Sequence, residues 1–189
     1  MKRILDRLEA ISKILLILGT LIGGVWAVVE YFDKKHDARV AETLAYVRRL
    51  SSDPLLAAQT RIGIAWYAVR DRVRALETTP VASAEEFASR KRQLVMMVVD
   101  KAVVPLSAST AQKGLVSDLD LLIGFFAELQ VCVDAKLCDR LTANSYFQPY
   151  AKRLYCVHEP FIAWKDSSYS RGYGNELRKL AFSNGERCS

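Results

Sequence analysis

Residues Ile14–Val29 read ILLILGTLIGGVWAVV, sixteen positions without a charged side chain. As a helix this run covers about 24 Å, less than the roughly 30 Å hydrocarbon core of a bilayer. Apolar and aromatic flanks extend it to a 22-residue span, Ile11–Phe32, which the charged residues 33–35 close. We therefore expect a single uncleaved transmembrane helix near the N-terminus.

A cleaved signal peptide and a buried core helix are the alternatives for this run. Val25-Trp26-Ala27 has the small-residue spacing of a cleavage site, but Asp6 and Glu9 lie in the preceding region and the helical pattern continues without a break. A core helix is disfavoured because nothing polar interrupts any face over four turns. The side of the membrane stays undetermined, because the nearby basic residues balance: Lys2, Arg3, Arg7 and Lys13 precede the uncharged run, and Lys34, Lys35, Arg39 and Arg48 follow it.

Small residues recur every four positions along the span. Gly19, Gly23 and Ala27 form one row, and Thr20 and Gly24 form a second row beside it. Such rows let two helix backbones approach closely in lipid, which predicts a helix–helix interface with a second copy or a membrane-complex partner. Glycine is also common in membrane helices in general, so both interpretations stay open.

The rest of the chain predicts helices alone, because apolar residues recur at helical spacing and no segment alternates as a strand does. The first helix should end near Leu50, and others should cover about 54–76, 83–104, 116–134, 139–157, 159–167 and 175–182. Asp53 is the expected N-cap of the second helix, and Ser83 with Glu86 forms a capping box for the third. The predicted class is all-α: an amphipathic start and transmembrane anchor in 1–35, then a soluble antiparallel helical bundle in 36–189.

The formal net charge is +6, and most of it follows the span, since residues 33–113 hold fourteen basic and nine acidic side chains. Beside a membrane such an excess attracts anionic lipid head groups. The candidate residues are Lys34, Lys35, Arg70, Arg72, Arg74, Arg90, Lys91 and Arg92. Charge runs on helices are usually solvated faces, but runs that share one side would bind an anionic ligand such as a nucleotide. Nucleic acid is disfavoured because the anchor keeps the chain at the bilayer.

The four cysteines permit two disulfides if the domain is exported. Cys132 and Cys138 flank one helix–helix turn, and Cys156 would meet Cys188 or pack against the first pair. The alternative is that the cysteines are small buried apolar residues. Zinc is disfavoured because the spacing is not that of a zinc site and the nearest histidine, His158, stands alone.

No set of residues predicts catalysis. His158 and Cys156 are two positions apart and thus on different faces of a helix, which disfavours a nucleophile pair. Asp118 and Asp120 open a helix, where acidic side chains complement the dipole. The aromatic residues of the C-terminal third are expected in the bundle core, with a ligand pocket as the alternative. We expect no enzyme activity, no metal and no cofactor.

Two stretches resemble uncharacterised bacterial proteins that have an N-terminal anchor and a helical domain. The first stretch contains Arg39-Val40, Thr43-Leu44, Tyr46-Val47 and Ser52-Asp53-Pro54. The second stretch contains Phe125-Phe126, Cys132, Cys138-Asp139 and Tyr146-Phe147. The resemblance implies an anchored helical architecture and a single-pass protein of the bacterial inner membrane, and it implies no activity.

Two functions therefore stay open. The first is a non-catalytic interaction or scaffold module, a small subunit of a membrane complex that oligomerises through its span, which the small-residue rows favour. The second is a membrane effector or sensor of the stress or phage-defence type. Its basic helical domain would bind an anionic ligand and act through the span, which the positive charge near the membrane favours.

Overall fold

The computed structural model is all-helical over the residues that it describes. These are the backbone of 2–80, 83–101, 115–182 and 187–188, and the side chains within these ranges from Gly19 onward except 77, 100 and 101. Their seven helices are α1 (Lys2–Leu50), α2 (Leu55–Ala68), α3 (Arg70–Thr78), α4 (Ala84–Lys101), α5 (Leu115–Asp134), α6 (Arg140–Ser168) and α7 (Asn175–Ala181). The predicted all-α class is confirmed.

The chain divides into two compact units, residues 1–41 and residues 42–189. In the first unit every described side chain from 19 to 38 is exposed, including Leu21 at 61% and Trp26 at 71%. Where side chains are described, no helix has a stretch long and apolar enough to cross a membrane. The predicted span starts at Ile11, and its residues 11–18 lie outside the described side chains.

In the unit 42–189, α5 is the central helix because apolar side chains cover most of its surface. Eleven of its residues are buried, and it packs against α2, α4, α6 and α7. Phe125 and Phe126 contact each other and Phe147 of α6, with ring centroids 5.2–6.3 Å apart. Aromatic pairs at this separation stabilise a core beyond the area that they bury. The predicted helical bundle is confirmed for this unit.

One long helix, α6, replaces the two helices predicted over 139–157 and 159–167. It continues through Pro149 and Pro160, although each proline removes one backbone hydrogen bond. Phe147 and Phe161 are fully buried on the same helix, so its packing outweighs the lost bonds. Asp139 caps its first turn by accepting a hydrogen bond from the Thr142 amide at 2.8 Å.

The second predicted helix is two helices, α2 and α3, separated at Val69. The Val69 amide donates to the carbonyl of Trp66, three residues back, at 3.2 Å. Asp53 is not the N-cap that we expected, because Pro54 takes this position and no side chain caps it. At the start of α4, Ser83 accepts a hydrogen bond from the Glu86 amide at 3.2 Å, as the capping box predicts.

A glycine turn leads from α6 into α7. Gly172 and Gly174 have φ angles of +88° and +80°, which favour glycine over residues with a side chain. At Gly174 a Cβ atom would also lie 2.6 Å from Cγ2 of Ile162. The turn is therefore closed by contact with α6 as well as by backbone geometry.

Candidate functional site

A cavity of about 780 Å³ opens between α2, α3, α5 and α6. This volume lies within the range of small-molecule sites, which is roughly 300–1,000 Å³. All of its lining residues belong to the unit 42–189: Leu50, Gln59, Ile62, Gly63, Trp66, Tyr67, Arg70, Val73, Leu122, Phe126, Tyr150, Arg153, Leu154, Val157 and His158. Most of the lining side chains are apolar, and the lining also contains two arginines and no carboxylate.

The floor of the cavity is formed by its four buried lining residues, Ile62, Leu122, Phe126 and His158, whose exposed fractions are 7%, 4%, 2% and 3%. α2, α5 and α6 each contribute to it, because each helix turns an apolar stripe toward the same core. The floor is therefore apolar apart from one imidazole.

His158 is held as a neutral side chain by its two hydrogen bonds. The Trp66 indole donates to Nε2 at 3.0 Å, and indole nitrogen can only donate, so Nε2 carries no proton. Nδ1 lies 2.9 Å from the carbonyl oxygen of Leu154 and must donate to it. Burial lowers the pKa of His158 from 6.5 to about 4, although the bond to Leu154 acts in the opposite direction. Both ring nitrogens are occupied.

The mouth of the cavity is formed by its exposed lining side chains, namely Tyr67, Arg70, Tyr150 and Arg153. Tyr67 and Tyr150 are 67% and 60% exposed. The Arg70 guanidinium carbon lies over the Tyr67 ring, 4.2 Å from its centre, at the distance of a cation–π contact. Its nearest described carboxylate is that of Asp71 at 3.8 Å, where both side chains are largely exposed, so the pair is weak.

Arg153 makes no ion pair or hydrogen bond with any residue that the structure describes. Together with Arg70 it gives the mouth two cationic groups, while the lining contains no acidic side chain. The electrostatic field at the mouth therefore favours an anion.

Gly63 leaves one wall of the cavity open. A Cβ atom added there would have no atom within 4 Å. Next to it, Gln59 donates from Nε2 to the Leu50 carbonyl at 2.9 Å, which ties α2 to the end of α1. A Cβ atom at Gly63 would thus fit at the cavity lining without a close contact.

The structure divides the predicted basic residues of α3 and α4 between two places. Arg70 lies at the mouth of the cavity, whereas Arg72 and Arg90 line a groove of about 350 Å³ beside α3 and α4. In that groove Arg90 is bound to Glu86 at 2.6 Å, and Arg72 donates to Sδ of Met97 at 2.9 Å. The remaining candidates are Lys91, which lies 3.9 Å from Glu159, and Arg74 and Arg92, which are exposed.

The predicted membrane-interface residues and the two predicted juxtamembrane lysines lie in the first unit. No atom lies within 4 Å of a Cβ built at Gly19, Gly23 or Gly24. Thr20 and Ala27 are exposed on the same helix. Lys34 pairs with Glu30 at 2.7 Å, one turn away, and Lys35 is exposed.

Two disulfides join the four cysteines. Cys132 and Cys138 are bonded across the turn between α5 and α6, with Cα atoms 5.2 Å apart. Cys156 is bonded to Cys188, which ties the C-terminal segment to α6.

Sequence reasoning missed two polar clusters, because it assigned Asp118 and Asp120 to the helix dipole alone. Asp118 is 5% exposed and receives two hydrogen bonds from Arg61, at 2.6 and 2.7 Å. Asp120 accepts hydrogen bonds from Lys165 and from the Tyr173 hydroxyl. Burial and the neighbouring carboxylate raise the pKa of Tyr173 well above its ordinary value. Both clusters join α5 to other helices.

Among the described residues no group of histidine, cysteine and acidic side chains could hold a metal ion. Comparison with protein-family models, with curated proteins and with solved structures finds no match to this chain.

Proposed function

We propose that this chain is a membrane-anchored, non-catalytic sensor or effector module whose helical domain binds an anionic ligand in the cavity between α2, α3, α5 and α6. The observation that carries the proposal is the lining of this cavity. It combines an apolar floor with two arginines and contains no carboxylate. Of the two functions that the sequence leaves open, this arrangement favours the ligand-binding one.

The first unit supports the anchor. Large apolar side chains from Leu21 to Phe32 are 50–71% exposed, and such a length of apolar surface needs a cover in water. A bilayer covers a helix on all sides, whereas a partner protein covers one face. We therefore propose that membrane lipid covers this apolar surface, with the span at Ile11–Phe32 in a bacterial inner membrane.

The two disulfides support a location of the helical domain on the periplasmic side. Disulfides persist in oxidising compartments and are rare where glutathione and thioredoxin keep thiols reduced. A membrane-impermeant maleimide tests this in intact cells. We expect Cys156 and Cys188, which are partly exposed, to be labelled only after reduction of the cells. Labelling that needs lysis but no reductant would place the domain in the cytoplasm.

A scaffold function is the second candidate, and the bare backbone at Gly19, Gly23 and Gly24 favours it. A sensor that acts through its span would use the same surface, so the two functions are compatible. Crosslinking in membranes tests the interface. The double variant Gly19→Leu with Gly23→Leu should lose the oligomer bands, and unchanged bands would exclude this surface.

Ligand-induced stabilisation tests the binding function. The full chain is placed in lipid nanodiscs with nucleotides, sugar phosphates or long-chain carboxylates, each at several concentrations. A ligand at about 100 times its Kd stabilises by about 2.7 kcal/mol, which for a chain of this size raises the Tm by roughly 5–10 °C. We expect at least one class to produce such a shift.

Two glycine variants localise the site. Gly63→Leu adds a large side chain at the cavity lining, and Gly124→Leu is the control because Gly124 is also helical, likewise has no atom within 4 Å of an added Cβ, and does not line the cavity. Leucine is a better helix former than glycine, so neither change should impair folding. The shift should disappear in Gly63→Leu and persist in Gly124→Leu. If no ligand class shifts the Tm, or if Gly63→Leu responds like the control, the proposed function is wrong.

A further inference from the structure

Resting on the proposed function, we infer that the cavity binds a single-chain anionic amphiphile. Its acyl chain lies on the floor against Leu122 and Phe126, and its carboxylate or phosphate group lies at the mouth between Arg70 and Arg153. The chemical class is that of fatty acids and lysophosphatidates, which share one chain and one anionic head.

The change in polarity from floor to mouth carries this inference. The floor is 2–7% exposed and is apolar except for His158, whereas both tyrosines of the mouth are at least 60% exposed. Both arginines lie at the mouth and none lies at the floor. A ligand that matches this order has an apolar end that is buried and a charged end that stays near water.

The floor also excludes a polar ligand end. His158 is its only polar side chain, and both of its nitrogens already have partners, in Trp66 and in the Leu154 carbonyl. A nucleobase on this floor would bury its donors and acceptors without partners, and each unpaired group weakens binding. A hydrocarbon chain has no such groups.

The mouth has the chemistry to hold one anionic head. Guanidinium groups bind carboxylates and phosphates through two parallel hydrogen bonds. Stacking on Tyr67 limits the motion of Arg70, and Arg153 has no described partner that a ligand would need to displace.

Photocrosslinking tests the inference. The full chain in phosphatidylcholine nanodiscs is incubated with hexadecanoate that carries a diazirine near the end of its chain, irradiated, and digested for peptide mass spectrometry. We expect adducts on the peptides of α2, α5 and α6 that form the floor. Gly63→Leu should abolish these adducts, and Gly124→Leu should retain them.

Competition by unlabelled molecules identifies the ligand class. Hexadecanoate should suppress the adducts, hexadecanol should need at least about a tenfold higher concentration because it lacks the charge that the arginines bind, and ATP should have no effect. Arg153→Gln should weaken hexadecanoate by about tenfold and leave hexadecanol unchanged. If a lysophosphatidate competes better than hexadecanoate, the anionic head group of the ligand is a lipid phosphate and not a carboxylate.

Three other outcomes of these experiments would each refute a part of the inference. Equal competition by hexadecanol and hexadecanoate would refute the role of the arginines. Suppression by ATP but not by hexadecanoate would refute the amphiphile and leave the proposed function in place. Adducts confined to the span, together with no stabilisation by any ligand class, would refute both.

Discussion

Acidification should destabilise the helical domain through His158. This side chain is 3% exposed, and burial lowers its pKa from 6.5 to about 4. In the unfolded chain the imidazole takes up a proton near pH 6.5. Between pH 6.5 and 4 the unfolded state therefore binds more protons than the folded state, and the free energy of unfolding falls as the pH falls.

The magnitude follows from the difference between the two pKa values. Each pH unit of difference corresponds to 1.36 kcal/mol, so His158 contributes full stability above pH 6.5 and about 3 kcal/mol less at low pH. Over the accessible window from pH 7.5 to 4.5, the expected loss is about 2.5 kcal/mol.

The assay compares the wild type with His158→Gln in urea unfolding of the full chain in nanodiscs, at a series of pH values. Glutamine keeps an acceptor for the Trp66 indole but does not titrate. All other side chains are the same in both proteins, so the difference between the two curves isolates His158. We expect the free energy of unfolding of the wild type to fall by about 2.5 kcal/mol relative to that of His158→Gln as the pH falls from 7.5 to 4.5. Parallel curves would refute the assignment of a buried neutral imidazole.

Five further substitutions, in three comparisons, test the fold by urea unfolding. Cys156→Ser opens a disulfide with a sequence separation of 32 and should lower the free energy of unfolding by about 3.7 kcal/mol. Cys132→Ser opens one with a separation of 6 and should lower it by about 2.2 kcal/mol, because the loop that this disulfide closes is shorter. Equal losses would contradict the loop-entropy argument. Gly174→Ala adds a clash to an unfavourable φ and should cost about 2–4 kcal/mol, and Gly172→Ala about 1–2 kcal/mol; the reverse order would contradict the contact with α6. Arg61→Gln leaves a buried carboxylate without its charged partner and should cost about 2–3 kcal/mol, and a neutral result would show that water replaces the guanidinium.

Helix positions could be predicted because they depend on local spacing. The apolar run of α5 and the glycines before α7 are visible in the sequence, and the structure follows them closely. The division at Val69 has no local signal, because neither glycine nor proline occurs there. The continuity of α6 through Pro149 and Pro160 depends on buried side chains of other helices, which no local pattern contains.

The candidate site could not be predicted for the same reason. Trp66 and His158 are 92 positions apart, and Arg61 and Asp118 are 57 positions apart. Only the packing of the helices brings these pairs together. The aromatic C-terminal third did allow a pocket as one alternative, but the absence of a side chain at Gly63, which helps to open the cavity, becomes meaningful only once α2 and α6 are placed.

Native mass spectrometry of the full chain, released from nanodiscs made with its own membrane lipids, tests the central claim most directly. We expect the wild type and Gly124→Leu to retain one bound anionic molecule, and Gly63→Leu to be free of it. A wild type without any bound molecule, or one whose ligand persists equally in Gly63→Leu, would contradict the assignment of the cavity as the functional site.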